Sequence, residues 1–279
     1  MSVKTILVVL TNVEAAKTLL KLAIPLARKH AAHLVGLHTQ ETLLVYSEVA
    51  IHVPSSTYTA FNKSQRELSD KIENVFQTLT SPEDFQSEWR NLKAEATSGA
   101  DKIIECARAA DLVIMSREEI NVGWTAQNYA QGRVIRESGR PVIVVPHDYD
   151  GPCPGSTLLL GWADTREAAR AAHDLIEIAD QDARVTVLRV GSLDADALRD
   201  IGFMDLPGML SRHGLKVEST QVEKGGHRIA EVLNEQAFEM GADLIAVGAF
   251  GHSRIYDIVI GAATHDLLQD AKYPVMFSK

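Results

Sequence analysis

Residues 4–23, KTILVVLTNVEAAKTLLKLA, join an apolar run to a helical pattern rich in small residues, and residues 156–179, STLLLGWADTREAARAAHDLIEIA, repeat that pattern. Two weakly similar halves indicate that one supersecondary plan is used twice in the chain. The repeat continues in β-branched runs that begin at Ala32 and Ala183, 151 residues apart. It therefore predicts two similar domains.

The ends of the two halves match as well. Each half ends with an apolar run after Ala-Asp-Leu and a closing apolar run after a proline: ADLVIMS (110–116) with GRPVIVVP (139–146), and ADLIAVG (242–248) with KYPVMFSK (272–279). Residues 146–156, between the halves, are dense in Pro, Gly and Asp, which is typical of a linker. We therefore expect domains at residues 1–148 and 155–279.

The order of strands and helices predicts the fold class. Continuous apolar runs such as ILVVL and PVIVV are typical of strands that are covered on both faces. Between Phe61 and Leu79 the apolar residues form one helical stripe: Leu68, Ile72, Val75, Phe76 and Leu79. The apolar residues from Ile229 to Phe238 mark a shorter helix that should end near Gly241. Strands that alternate with helices predict an α/β fold with a doubly wound, mostly parallel sheet in each half.

Composition argues against several classes of function. The net charge of −9 provides no basic face for a nucleic-acid backbone. Two cysteines, Cys106 and Cys153, make no disulfide framework, which fits a reducing compartment. The first apolar run is too short for a signal peptide or a membrane span. We expect a cytoplasmic protein that binds neither nucleic acid nor membrane.

A glycine-rich loop, VGAFGHSRIYDIVIGAAT at residues 247–264, is the candidate site. Gly248 and Gly251 follow an apolar strand, and Gly261 is expected to open the last helix at about Ala262. Glycines allow a ligand to approach the backbone closely, and the free N–H groups of a helix N-terminus attract anions. The same glycines would also serve a plain connection between a strand and a helix. Spacing alone leaves both interpretations open.

The spacing Gly-x2-Gly-x9-Gly, the run VGAFGHSR, the closing YPVMF and the twofold repeat together resemble the universal stress protein family in its tandem form. The resemblance covers essentially the whole chain. It implies an adenine nucleotide alpha hydrolase-like fold with five mostly parallel strands per domain, a role in stress response and, in one subclass, an ATP site at this loop. The candidate nucleotide-binding residues are Asp164, Val190, Gly248, Gly251, His252, Ser253, Arg254, Gly261, Ala262 and Thr264.

The chain departs from the pattern of that subclass at two positions. Ala262 offers a backbone N–H but no hydroxyl where the family has Ser or Thr, and Thr264, one turn further on, is an imperfect substitute. Ala163 stands where the family's aspartate is expected, so that Asp164 comes one residue late. Asp164 or Thr165 would equally well serve as the N-cap of the following helix.

The N-terminal half lacks the glycine loop altogether. Ser116, Glu119 and Asn128 take the places of the three glycines. Glu118 and Glu119 would repel a polyphosphate at close range. We expect this half to be a structural partner, packed against the other half as an intramolecular pseudo-dimer.

Other chemistry has little support in the sequence. No histidine or cysteine spacing is typical of a metal site, and no nucleophile elbow, P-loop or dinucleotide turn follows a strand. His252 and Arg254 either present cations to a phosphate, with Ser253 beside them, or are solvated loop residues. We therefore expect no metal and no catalysis.

Two hypotheses for function follow. The first is a stress-response regulator that binds ATP or AMP weakly in its C-terminal half, with no cofactor required. The second is an interaction scaffold of the same fold that binds no nucleotide. A homodimer is compatible with either hypothesis. An adenylyl-transferring enzyme of a related superfamily is disfavoured, since a Ser-Gly-Gly loop and a His-x-Gly-His pair are absent.

Overall fold

The computed structural model describes residues 3–40, 54–94, 98–117, 130–191, 201–251 and 259–279. The strands in these ranges are β1 Thr5–Val9, β2 His33–Gln40, β3 Ser87–Lys93, β4 Leu112–Ser116, β5 Val142–Val145, β6 Thr157–Trp162, β7 Arg184–Val190, β8 Lys216–Val222, β9 Leu244–Gly248 and β10 Val275–Ser278. The helices are α1 Val13–His30, α2 Ser55–Thr80, α3 Gly99–Ala107, α4 Ala130–Glu137, α5 Arg166–Ile178, α6 Ile201–Arg212, α7 Ile229–Met240 and α8 Val259–Asp270. The predicted alternation of strands and helices is confirmed in both halves.

The strands of both halves form a single sheet. Its order is β3-β2-β1-β4-β5-β10-β9-β6-β7-β8, so each half contributes five neighbouring strands in the same relative order. Neighbours within each half are parallel. The halves meet where β5 and β10 pair antiparallel, with Val144 opposite Val275 and Val142 opposite Phe277. The α/β fold is thus confirmed, while the domain limits at residues 148 and 155 stay a prediction.

Two hydrophobic cores cover the two faces of this sheet. In β1, Ile6 and Val8 point into one core and Leu7 and Val9 into the other. Successive side chains of a strand point to opposite faces, so a strand between two cores is apolar at every position. This burial explains why the central strands read as unbroken apolar runs. No helix in the described ranges is both long enough and apolar enough to cross a membrane.

The helix predicted from the apolar stripe at residues 61–79 is confirmed as α2, which already begins at Ser55. One expectation about another helix needs correction. Phe238 in α7 does not face the core and is 76% exposed. It follows the buried Ala237 directly, and a rotation of about 100° per residue carries it off the buried face. The end of α7 is as expected, since Gly241 takes a left-handed C-cap conformation with φ of 64°.

An aspartate secures the start of the first strand in each half. The Asp243 carboxylate, 1% exposed, accepts hydrogen bonds from the backbone N–H groups of Gly155 (3.0 Å), Ser156 (2.8 Å) and Thr157 (2.9 Å). Asp111 holds the equivalent place and accepts from two N–H groups, at 2.8 and 2.9 Å. The aspartate of each Ala-Asp-Leu repeat is therefore structural.

The reactivity of the Cys153 thiol tests how the segment between the two halves packs. Burial raises the pKa of this thiol to about 11. Because the thiolate is the reactive form, we expect iodoacetamide to modify Cys153 at pH 8 roughly a hundredfold more slowly than an unperturbed cysteine. The measurement uses a Cys106→Ser variant, in which Cys153 is the remaining thiol. Modification at the rate of a free cysteine would show that this segment does not pack as described.

Candidate functional site

The glycine loop leaves the sheet at the carboxyl end of β9. Gly248 is the last residue of that strand and pairs with Ser278 of β10. On its other side β9 pairs with β6, whose end leads into α5. Ligands of open α/β sheets bind at the carboxyl ends of the strands, so the loop lies at the edge where the sequence places it.

Gly248 is required by packing against α5. A Cβ on Gly248 would lie 2.5 Å from the carbonyl carbon of Glu167 and closer still to the nitrogen of Ala168. These are backbone atoms at the start of a helix, which cannot move aside as a flexible side chain can. The absence of a side chain at Gly248 thus lets α5 approach the end of β9, and this contact accounts for the glycine without a ligand.

Gly251 faces the side chain of the same glutamate. A Cβ on Gly251 would lie 2.9 Å from Oε2 of Glu167. That carboxylate is almost completely covered, since Glu167 is 3% exposed. Its Oε1 accepts a hydrogen bond of 2.7 Å from Nε of Arg166, a side chain that is itself 85% exposed. A buried carboxylate therefore lies against the loop that was predicted to hold phosphate.

The N-terminal half provides an internal comparison for Glu167. Glu167 is the second residue of α5 after the N-cap Thr165, and Glu14 is the second residue of α1 after the N-cap Asn12. Glu14 is exposed. Ser116 ends β4 as Gly248 ends β9, and it carries the Cβ that Gly248 lacks. The buried carboxylate is thus a feature of the C-terminal half.

Thr165, and not Asp164, is the N-cap of α5. The Thr165 hydroxyl accepts a hydrogen bond of 3.1 Å from the N–H of Ala168. The Asp164 side chain is exposed. The N-cap interpretation is therefore confirmed for Thr165, while a role of Asp164 toward adenine stays a prediction.

Thr264 holds the loop backbone. Its side chain is 2% exposed, and its hydroxyl accepts a hydrogen bond of 3.3 Å from the N–H of Phe250. Phe250 has a φ of 52°, in the left-handed region that few residues other than glycine adopt. The Thr264 hydroxyl thus supports a position of the loop with positive φ, while its role toward a phosphate stays a prediction.

Two cations lie over the ring of Phe250. The Arg136 guanidinium carbon is 4.4 Å from the ring centroid, and Nζ of Lys279 is 5.8 Å from it. Arg136 belongs to α4, so the N-terminal half contributes a charge to the loop of the other half. Sequence reasoning missed both cations, because the pairings of β10 with β5 and with β9 bring α4 and Lys279 to this loop.

The remaining predicted residues stand as follows. His252, Ser253 and Arg254 lie outside the described residues. Gly261 and Ala262 lie within α8, which is already helical at Val259, so the helix begins earlier than the expected Ala262. Val190 is the last residue of β7 and packs, partly buried, against one of the cores.

The corresponding edge of the N-terminal half is held by polar contacts of its own. The Ser116 hydroxyl lies 2.9 Å from Nδ1 of His147, and the Gln131 amide donates to the Ser116 carbonyl. Glu118, Glu119 and Asn128 lie outside the described residues, so the repulsion expected from them stays a prediction. Within the described ranges, no group of three or more His, Cys, Asp or Glu residues is placed to hold a metal ion.

Comparison with known proteins finds a family match in the C-terminal half. Residues 156–279 match the sequence profile of the universal stress protein family. Universal stress protein Slr1230 of Synechocystis is 25% identical over 173 residues, which are 60% of this chain and 57% of that protein. The chain thus matches little more than half the length of this relative.

Solved structures are similar over nearly the whole chain. A universal stress protein from Archaeoglobus fulgidus aligns with a TM-score of 0.67 and 13% identity, covering 98% of this chain and 96% of that one. A functionally unknown protein from Pseudomonas aeruginosa PAO1 aligns with a TM-score of 0.61 and 14% identity, covering 99% and 92%. At these identities the likeness shows a shared fold.

Proposed function

We propose that this chain, whose residues 156–279 match the sequence profile of the universal stress protein family, is a cytoplasmic, non-enzymatic stress-response regulator that acts through its surface. In this proposal the glycine loop is structural and the protein works without nucleotide. The two halves act as one body, because β5 and β10 join their sheets.

The contact of Glu167 with the loop carries this proposal. Its covered carboxylate lies on the side of Gly251 where an added Cβ would be, and it would repel a phosphate that approached the loop from that side. The space beside Gly248 is occupied in the same way by the backbone of α5. At two of the three glycines that suggested a phosphate cradle, the space that a side chain would take is thus occupied by atoms of α5.

Weak binding of ATP or AMP at the C-terminal half is the second candidate function. The two cations over Phe250, Arg136 and Lys279, favour it, since they supply positive charge beside the loop. The position of the loop at the carboxyl end of β9 favours it as well. In this case nucleotide would be a regulatory ligand.

Calorimetry separates the two candidates. We expect ATP, ADP and AMP at millimolar concentration to give no saturable heat and no shift of the thermal midpoint. A ligand at a hundred times its Kd would stabilise the folded protein by about 2.7 kcal/mol, which is readily seen as a higher midpoint. Saturable binding of any of the three nucleotides would replace the first proposal with the second. Incubation with ATP and analysis of products tests the absence of catalysis, and light scattering tests for a homodimer.

A further inference from the structure

We propose that His38 makes the N-terminal half sensitive to acid: as the pH falls from 7 to 5, protonation of its imidazole shifts this half toward an open state in which α2 no longer covers β2. The inference goes beyond the proposed function, because it concerns how the protein responds to a change in its surroundings. It uses residues of the N-terminal half alone and is independent of the glycine loop.

The imidazole of His38 lies in the core as a neutral ring. The residue is 2% exposed, and its Nδ1 lies 2.7 Å from the carbonyl oxygen of Leu10. A carbonyl oxygen only accepts, so Nδ1 carries the proton and Nε2 keeps a free lone pair. Nε2 is buried and has no hydrogen-bond partner in the described part of the chain. A second proton on this ring would therefore create a buried, charged donor without an acceptor, which is costly.

The ring stacked on His38 offers no acceptor for that proton. Trp89 in β3 is parallel to the imidazole within 6°, and the two ring centroids are 6.5 Å apart. An indole N–H only donates, and Nε1 of Trp89 is itself buried without a partner among the residues that the structure describes. The imidazole therefore remains neutral as long as these two rings stay packed together.

No nearby charge compensates a protonated ring. In β3, Glu88 and Arg90 pair with each other at 2.6 Å, and both point away from the face that carries Trp89. Within the described ranges, no charged side chain shifts the pKa of His38. Of the titratable side chains of the two helices on this face, α1 and α2, three are partly buried and the others exposed; the three are His30, Tyr58 and Glu73.

The pH window follows from the burial. Burial lowers the pKa of His38 from its ordinary value of 6.5, while the hydrogen bond to Leu10 opposes this shift. The unfolded chain, in which water surrounds the ring, therefore binds a proton at a higher pH than the folded protein does. Stability that is complete above pH 6.5 is then lost as the pH falls toward the lower pKa of the folded state.

The contacts of α2 connect protonation to opening. The ring of Phe76 in α2 packs against Trp89, with centroids 5.6 Å apart. Phe76 also lies directly on Gly36 of β2, where an added Cβ would be 2.6 Å from its ring. The amide of Asn91, opposite His38 in β3, donates a hydrogen bond of 2.6 Å to Ser69 in α2. An open state that brings water to the imidazole therefore involves the release of α2.

The internal repeat limits this device to the N-terminal half. His38 is the sixth residue of β2, and Arg189 is the sixth residue of β7. Both strands pair from their first residue with the first strand of their own half, so the two positions are equivalent. An arginine keeps its charge throughout this pH range. We therefore expect acid to open the N-terminal half and to leave the C-terminal half closed.

Urea denaturation at pH 7 and pH 5 tests the role of the histidine in the natural protein, His38→Asn and His213→Asn. The asparagine amide takes the place of Nδ1 and donates to Leu10, but it does not titrate; His213 is exposed and serves as the control. Between the two pH values, we expect the unfolding constant of the natural protein and of His213→Asn to rise about tenfold more than that of His38→Asn. His30, whose pKa burial also lowers, is present in all three proteins and cancels in the comparison.

Hydrogen exchange of the natural protein, followed by mass spectrometry, tests where the protein opens. After correction for the intrinsic effect of pH on exchange, we expect the protection of α2 to fall about tenfold between pH 7 and pH 5, and that of β6 to stay the same.

The inference is overturned if folded His38→Asn loses as much stability between pH 7 and pH 5 as the natural protein does. The exchange measurement needs no variant, so it decides the question even if His38→Asn fails to fold. Unchanged protection of α2 at pH 5, or an equal loss in both halves, would overturn the inference as well. None of these outcomes touches the proposed function, which the nucleotide titrations test separately.

Discussion

Alanine in place of Gly248 is expected to destabilise the protein by about 3 kcal/mol or more, at the upper end of what overpacking causes. The new Cβ would lie 2.5 Å from the Glu167 carbonyl carbon, so α5 would have to move away from β9. That movement would loosen the contact between α5 and the sheet on which the glycine loop rests. Urea denaturation, followed by circular dichroism, measures the loss.

Gly226→Ala is the control for this substitution. Gly226 has no atom within 4 Å of an added Cβ and no unusual φ, so we expect a change within about 0.5 kcal/mol. Gly251→Ala should fall between the two, because its Cβ meets the end of the flexible Glu167 side chain. If Gly248→Ala were as stable as Gly226→Ala, the glycine would not be needed for packing.

Removal of the Asp243 carboxylate should cost about 3–5 kcal/mol. Asp243→Ala deprives three backbone N–H groups of their acceptor in a buried place, and each unsatisfied group costs about 1–3 kcal/mol, less where water enters. The Ser156 hydroxyl, which donates to the same carboxylate at 2.9 Å, loses its acceptor too. β6 is the middle one of the five strands of the C-terminal half, and its start would lose the hydrogen bonds that hold it.

Asp111→Ala is the matched variant in the N-terminal half. Asp111 serves two N–H groups in a more exposed place, so we expect a loss of about 1–2 kcal/mol. The difference between the two variants in urea denaturation checks the assignment. Equal losses would contradict the greater structural weight given to the buried aspartate.

The central strands and the twofold plan were predictable because burial on both faces leaves a simple signature. A strand such as β9, LIAVG, is apolar at almost every position, and the C-cap Gly241 follows from the need for positive φ. The recurrence of these signals in both halves made the prediction stronger than either half alone.

The edge strands could not be predicted from their residue patterns. β3, SEWRNLK, and β8, KVESTQV, lie at the two ends of the sheet; each has one side that pairs with no strand of the described residues, and many of their side chains are exposed. Polar and charged residues are common on such edges, because they discourage pairing with other chains. Their residue pattern therefore resembles that of a loop. The pairing of β5 with β10, which joins the strands of the two halves into one sheet, could not be predicted either, since these two strands lie far apart in the chain.

The position of the glycine loop in the fold was predictable, but the packing around it was not. The strand pattern placed the loop at the carboxyl end of β9, yet Gly248 packs against the backbone of α5, which spacing does not reveal. Glu167 and Glu14 occupy equivalent positions in the repeat, and neither the residue type nor the position in the helix separates the buried one from the exposed one. The difference between Gly248 and Ser116 was the available signal, because it determines how closely a helix approaches the strand end.

A crystal structure of the natural protein grown with millimolar ATP tests most directly whether the glycine loop is structural. We predict electron density for the Glu167 carboxylate against Gly251, with no phosphate group beside that residue. Density for a triphosphate in contact with the Gly251 backbone, with Glu167 turned away, would contradict it.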